Sequence, residues 1–259
     1  ASRTGKGIPI VNILALEGDE RVTAAISVRS FDDASYCTLA TLNGRIKRVE
    51  LSEFSSVRPS GLIAMGLNGH DKLGWARLTS GDNDLILVTE QGKALRYSEK
   101  AVRSMGRPAA GVIGIRLAKD DKMTTMDVIE PNSSLLIVTK NGVGKQTPLS
   151  EYSSKGRGTQ GILTIDKHAI PVVGKIIAAR VVQQEDHLTL MSTGGVIIRL
   201  KVSEVKTAGR ATRGVHLMRT QEGDTVAAVA RIAAEDLKQV GADINEESDV
   251  PEDGQQELL

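Results

Sequence analysis

Apolar positions along this chain fall in short runs, alternating as in Tyr36–Thr41, and glycine-containing polar turns separate them. That pattern predicts strands rather than long helices. Four stretches repeat one plan of strand, glycine turn and second strand: CTLATLNGRIKRVELSEF, LILVTEQGKALRYSEKAV, LLIVTKNGVGKQTPLSEY and LTLMSTGGVIIRLKVSEV. Their turn glycines are Gly44, Gly92, Gly142 and Gly195, stepping by 48, 50 and 53 residues. Asn-Gly at Asn43 and Asn141 is a two-residue hairpin signal, and glycine supplies the positive φ of such turns. Each hairpin runs into Ser-Glu, at Ser52-Glu53, Ser98-Glu99, Ser150-Glu151 and Ser203-Glu204. The serine suits the cap of a short helical turn, so the pairs read as structural.

The rest of each unit repeats too. A basic loop closes on glycine at Gly61, Gly111, Gly161 and Gly214, and RTGKG at Arg3–Gly7 is a fifth copy. An apolar strand follows, as in GIPIVNIL, GLIAMGL and GVIGIRL. An acidic turn comes next (GDE, GHD, KDD, EGD), replaced after Gly161 by DKHAIP, and a final strand such as KLGWARL closes the unit. The chain therefore reads as all-β, with about four and a half four-stranded repeats arranged as blades about an axis. The expected segments are a partial blade over 1–35, full blades over about 36–84, 85–134, 135–187 and 188–234, and a disordered acidic tail over 235–259. Opening in mid-repeat implies further sequence upstream.

Composition removes several classes of function. No apolar run approaches the roughly 18 residues of a membrane span, and no signal peptide opens the chain. Cytoplasmic location is the expectation. The single cysteine, Cys37, forms no internal disulfide and reads as a buried strand residue. Gly156–Gly161 fits GxGxxG but precedes a strand pattern, and Gly142–Thr147 lacks the first glycine and the Lys-Ser/Thr of a phosphate loop. The four histidines have no zinc spacing, and no nucleophile with a matching base is evident. Neither catalysis nor a cofactor is expected of this chain.

The net charge of +1 hides two unlike parts. Residues 1–234 carry +9, and residues 235–259 carry −8. Positive charge recurs with the repeats: Arg48, Arg96 and Arg199 stand four residues after a hairpin glycine, with Gln146 in the third copy. Lys47 and Lys145 stand one position earlier, and the loops add Arg3, Lys6, Arg58, Arg103, Arg107, Lys155, Arg157, Lys206, Arg210 and Arg213. On rotationally related blades these residues would share one rim. A curved basic track suits duplex DNA, because phosphate contacts release counterions without reading sequence. Loop glycines would bring backbone N–H groups close to phosphate. Aromatics at 2% argue against single-strand binding by base stacking. A folded-back tail would compete with DNA, so its deletion is expected to raise affinity at low salt.

The loop ASRTGKGIPIVNIL, the run GWARLTSGDNDLILVTEQGKALRYSEKAVRSMG and VSEVKTAGRATRGV resemble the C-terminal domain of bacterial DNA gyrase A, over residues 1 to about 234. The resemblance implies a β-pinwheel, a propeller-like disc whose blades exchange strands and whose rim wraps DNA with positive handedness. It implies that the holoenzyme, an ATP-dependent type II topoisomerase, introduces negative supercoils. ATP and Mg2+ would be bound mainly by gyrase B. The implied partners are duplex DNA, gyrase B and the N-terminal cleavage core of gyrase A, in a heterotetramer. The family's wrapping box, QRRGGKG, has its nearest match in Ala1–Gly7, which lacks Gln and one Arg and looks like the second blade's loop. The alternatives are the corresponding C-terminal domain of topoisomerase IV, which directs decatenation substrate choice, and a propeller-like protein-interaction module.

Overall fold

The computed structural model describes residues 8–237, apart from 10, 11, 15, 17, 19, 29, 33, 57, 59 and 60. The tail from 238 onward, Arg3 and Lys6 lie outside the described residues.

Four hairpins form the frame: β1(Tyr36–Thr41)–β2(Arg45–Glu50), β4(Asp84–Thr89)–β5(Lys93–Ser98), β8(Ser134–Thr139)–β9(Val143–Pro148) and β12(His187–Ser192)–β13(Ile197–Lys201). The first three turns are three residues long rather than two. In each of the four, the glycine ends the turn with φ between 76° and 84° and donates its N–H to the residue three back. This is a type I turn completed by a left-handed residue. Against the first strand of each hairpin runs a longer one: β3(Leu73–Thr79), β7(Met123–Val128), β11(Ile176–Val182) or β15(Val226–Ile232). These four strands touch in succession and form the inner edge of the array.

The fourth strand does not come from its own repeat. β6(Val112–Ile113) follows the β4–β5 hairpin in the chain yet pairs with β2. β10(Ile162–Leu163) likewise pairs back with β5, and β14(Val215–His216) with β9. Three sheets thus have four strands, in the orders β3-β1-β2-β6, β7-β4-β5-β10 and β11-β8-β9-β14, while the last has three, β15-β12-β13. Repeat and sheet are offset, so the contiguous segments 85–134, 135–187 and 188–234 each contribute to two sheets. Blades that exchange strands are what the family resemblance implied.

The closing glycines serve this exchange. Gly111, Gly161 and Gly214 have φ of +73°, +70° and +93°, and an added Cβ would lie 2.4–2.7 Å from the carbonyl oxygen of Ile46, Ala94 or Gly144. They let the exchanged strand cross the hairpin closely. Gly61 has the same φ, +73°, with nothing within 4 Å. The segment after it, 61–68, forms no strand, and Ile63 is exposed.

The core lies between sheets. Ala40 and Ile46 pack on Leu85, Leu87 and Tyr97; Ile86 and Val88 on Leu135 and Ile137; Leu136 and Val138 on Leu188 and Leu190. The strands of the first three hairpins are largely buried on both faces, which explains their near-continuous aliphatic runs, whereas β13 in the last hairpin is half-exposed. Cys37 is buried in β1 as expected. The acidic turns also find a structural use. Asp71, Asp121 and Asp224 accept the N–H of Asn43, Gln91 and Gly194 in the neighbouring hairpin turns, at 2.8–3.0 Å. Where DKHAIP replaces the acid, the short helix α1(Ile170–Val173) brings the Val173 carbonyl to Asn141 N–H at 3.0 Å.

Candidate nucleic-acid interface

β6, β10 and β14 are the outermost strands, so the loops leading into them form the rim. Backbone hydrogen bonds join the loops before β10 and β14 to the segments that leave the preceding exchanged strand. Gly158 N donates to Gly114 O at 2.8 Å, Arg116 N to Thr159 O at 2.9 Å and Asp166 N to Thr212 O at 3.3 Å. Six residues expected at the rim are exposed: Arg58, Arg103, Lys155, Arg199, Lys206 and Arg213. No protein group bonds the side chains of Arg58, Arg103, Lys155, Lys206 or Arg213 among the described residues.

The row four residues after the hairpin glycine is different, and here the structure corrects the expectation. Arg48 is buried, stacks 4.2 Å from the Tyr36 ring centre and pairs with Glu99 beyond the next hairpin at 3.4 Å. Arg96 is half-buried, pairs with Asp84 and donates to Leu149 O at 3.1 Å. Gln146 is buried and donates to Val202 O and Val205 O at 3.0 and 2.7 Å. Each side chain reaches the 3-10 turn that follows the next hairpin, so the position latches one blade to its successor. Glutamine does the same work without charge, because the targets are largely carbonyls. Arg199, in the last hairpin, has no following blade among the described residues and donates to His187 Nδ1 at 3.0 Å.

Lys47 and Lys145 are also corrected, being fully buried. Lys145 Nζ donates to Gly209 O and Arg210 O at 2.6 Å and to Thr212 Oγ1 at 3.1 Å. Lys47 Nζ donates to Ala64 O at 2.9 Å and to Arg107 O. Both ammonium groups staple a rim loop to a sheet from within and are not available to phosphate. Arg157 and Arg210 are half-buried clips: Arg157 Nε donates to Ala101 O at 3.0 Å and Nη1 to Ile113 O, and Arg210 Nη1 donates to Leu163 O at 3.2 Å. Arg107 is half-buried beside Glu53 at 3.9 Å. The Ser-Glu pairs are structural as expected, chiefly through the glutamate. Ser98 caps its turn, whereas Glu53 and Glu151 accept the N–H of Arg107 and Arg210, and Glu99 clasps two more backbone N–H groups.

Burial pushes the Lys145 ammonium down to about 8, against a smaller upward pull from Glu151. A lysine with a depressed folded value penalises the fold while charged. That penalty is complete below about pH 8 and is relieved as pH rises towards the ordinary value of 10.5. The melting temperature of the native chain should therefore rise relative to that of Lys145→Met between pH 7 and 9.5. A difference that stays level, or narrows, would contradict the assignment; differential scanning calorimetry reads it.

Arg116 and Arg219 were missed by the sequence reading. Both are exposed and stand five residues after a closing glycine, where the chain leaves the exchanged strand. Their common offset from Gly111 and Gly214 was the available signal. Gly156–Gly161 leads into β10, and Gly142–Thr147 is a turn with β9, so neither is a nucleotide loop. Among the described residues no helix is long and apolar enough to cross a membrane, and no group of three acidic, histidine or cysteine side chains could hold a metal.

Residues 1–29, 36–80, 83–130, 133–183 and 186–233 match the family described as DNA gyrase C-terminal domain, beta-propeller. DNA gyrase A of Mycolicibacterium smegmatis is 41% identical over 91% of this chain, and that of Salmonella typhimurium 41% over 90%. The chain spans 28% and 26% of those relatives. A solved DNA gyrase A C-terminal domain superposes with a TM-score of 0.80 at 26% identity, covering 88% of this chain and 75% of that one. The C-terminal domain of DNA topoisomerase IV superposes with 0.84 at 27% identity, covering 93% and 76%. Five successive matched units that follow the hairpin period, with the same blade architecture beneath them, place the chain in the DNA gyrase C-terminal domain family as a β-pinwheel.

Proposed function

We propose that this chain is the DNA-binding and DNA-wrapping part of a gyrase A. One observation carries the reading: an outer rim of loops presents Arg103, Lys155, Lys206 and Arg213 to solvent without protein partners among the described residues. Phosphate contacts along such a rim would offset the elastic cost of bending a duplex, on the order of 1–6 kcal/mol for 20–30 bp. The gyrase family match and the gyrase A relatives at 41% identity favour this reading over a topoisomerase IV role. In the holoenzyme the wrapped duplex would be delivered to the N-terminal cleavage core of gyrase A. ATP and Mg2+, bound mainly by gyrase B, would supply the energy and the phosphoryl chemistry, with no step on the residues described here.

A nicked plasmid religated in the presence of the chain tests the wrap. Relative to protein-free plasmid, the products should be shifted towards positive linking difference. The shift should be larger for a chain extended upstream through a wrapping box. Religation products indistinguishable from the protein-free control for both chains would overturn wrapping.

A further inference from the structure

The inner edge of the array encloses a second polar site, away from the rim. β3, β7, β11 and β15 border a cavity of about 650 Å3 whose polar wall is Arg77, Asp127, Glu130, Arg180 and Arg231. Arg77, Asp127 and Arg180 occupy equivalent positions on three successive inner strands, opposite Thr38, Ile86 and Leu136. Asp127 is fully engaged: Oδ1 accepts Arg77 Nε at 2.9 Å, and Oδ2 accepts Val181 N at 3.1 Å. Both oxygens of Glu130 accept Arg231, at 2.9 and 3.2 Å, and Asp186 holds Arg231 from behind at 2.6 Å. Arg180 has no such partner. Its Nη1 donates to Ala179 O at 2.9 Å, and its Nε and Nη2 bond no protein group among the described residues.

The spare hydrogen-bonding capacity offered by the arginines is therefore donor capacity, on Arg180 and on Arg77 Nη2. Burial depresses the Arg180 guanidinium, and Arg77 adds to that against an opposing pull from Asp127. Arginine stays protonated even so, and a half-buried cation whose neighbouring carboxylate, Asp127, is already hydrogen-bonded to Arg77 and Val181 gains from a further acceptor. An acceptor-only ligand supplies one, and a cation or an amine does not. We propose that this inner cavity is a binding site for a small multivalent oxyanion of the phosphate class, with Arg180 as its principal contact. The site lies on the inner strands, away from the rim loops.

Calorimetric titration of the full chain with pyrophosphate, at low ionic strength and without DNA, tests the site. One saturable site per chain is expected, weakened at least tenfold by Arg180→Met and unchanged in the rim variant Arg103→Ala/Arg213→Ala. The NMR resonance of Arg180 Nε–Hε should shift along the same isotherm, a reading that requires no substitution. The proposal is overturned if no saturable binding occurs, if the site survives Arg180→Met, if it is lost with the rim variant, or if the Arg180 resonance stays put.

Discussion

Replacing Arg103, Lys155, Lys206 and Arg213 together by alanine is expected to lower duplex-DNA affinity roughly 100-fold near 0.1 M salt and to flatten its salt dependence. Each neutralised phosphate contributes about 0.9 to the slope of log affinity against log salt, so four lost contacts remove about 3–4. The melting temperature should not move, because these side chains are exposed and bond no protein group among the described residues. The contrast is with Lys47→Met and Lys145→Met. These remove the same charge from buried staples, so they should alter stability and leave the slope alone. Fluorescence anisotropy over a salt series separates the two classes. A quadruple variant with the native slope would place the duplex elsewhere on the molecule.

Glu99→Ala should be the most damaging single substitution in the frame, costing about 3–5 kcal/mol. The Glu99 side chain is fully buried. It accepts Gly81 N and Asn83 N at 2.8 Å and pairs with Arg48, whose side chain is itself only 10% exposed. Alanine leaves two backbone donors unpartnered and one buried guanidinium without its carboxylate. At about 2–4 °C per kcal/mol for a chain of this size, the melting temperature should fall by about 10 °C. Glu99→Gln keeps an acceptor for the backbone and should lose less. Equal losses in the two variants would assign the stability to the carboxylate charge rather than to the neutral acceptor.

Much of the frame was legible because it is local. Gly44, Gly92, Gly142 and Gly195 mark turns whose positive φ glycine adopts freely, and the aliphatic runs beside the first three reflect burial on both faces. The strand exchange was not readable from residues such as Val112–Ile113. Two residues carry no register, and they would look the same in either of two adjacent sheets. Family resemblance, rather than periodicity, supplied that feature.

The candidate site divides along the same line. Loop charges such as Arg103 and Arg213 are exposed, since glycine-rich polar segments run over surfaces. Arg48 and Arg96 repeat in register for a different reason, because each reaches a turn in the next blade. Gln146 was the clue: a phosphate contact would have kept its charge, whereas a donor to Val202 O and Val205 O did not need to. Lys47 and Lys145 sit in strands buried on both faces, where alternation no longer tells inside from outside.

The exchanged strands also decide where mechanical load goes. A rim loop such as 102–111 is tethered at one end to its own hairpin and at the other to the preceding sheet through β6. Outward tension from a duplex bent onto Arg103 would therefore be divided between two blades. An array of independent blades would let each duplex contact pull on one unit alone. Here, opening one unit strips the outer strand from its neighbour, so the array would resist the spring force of curved DNA as a single laminate.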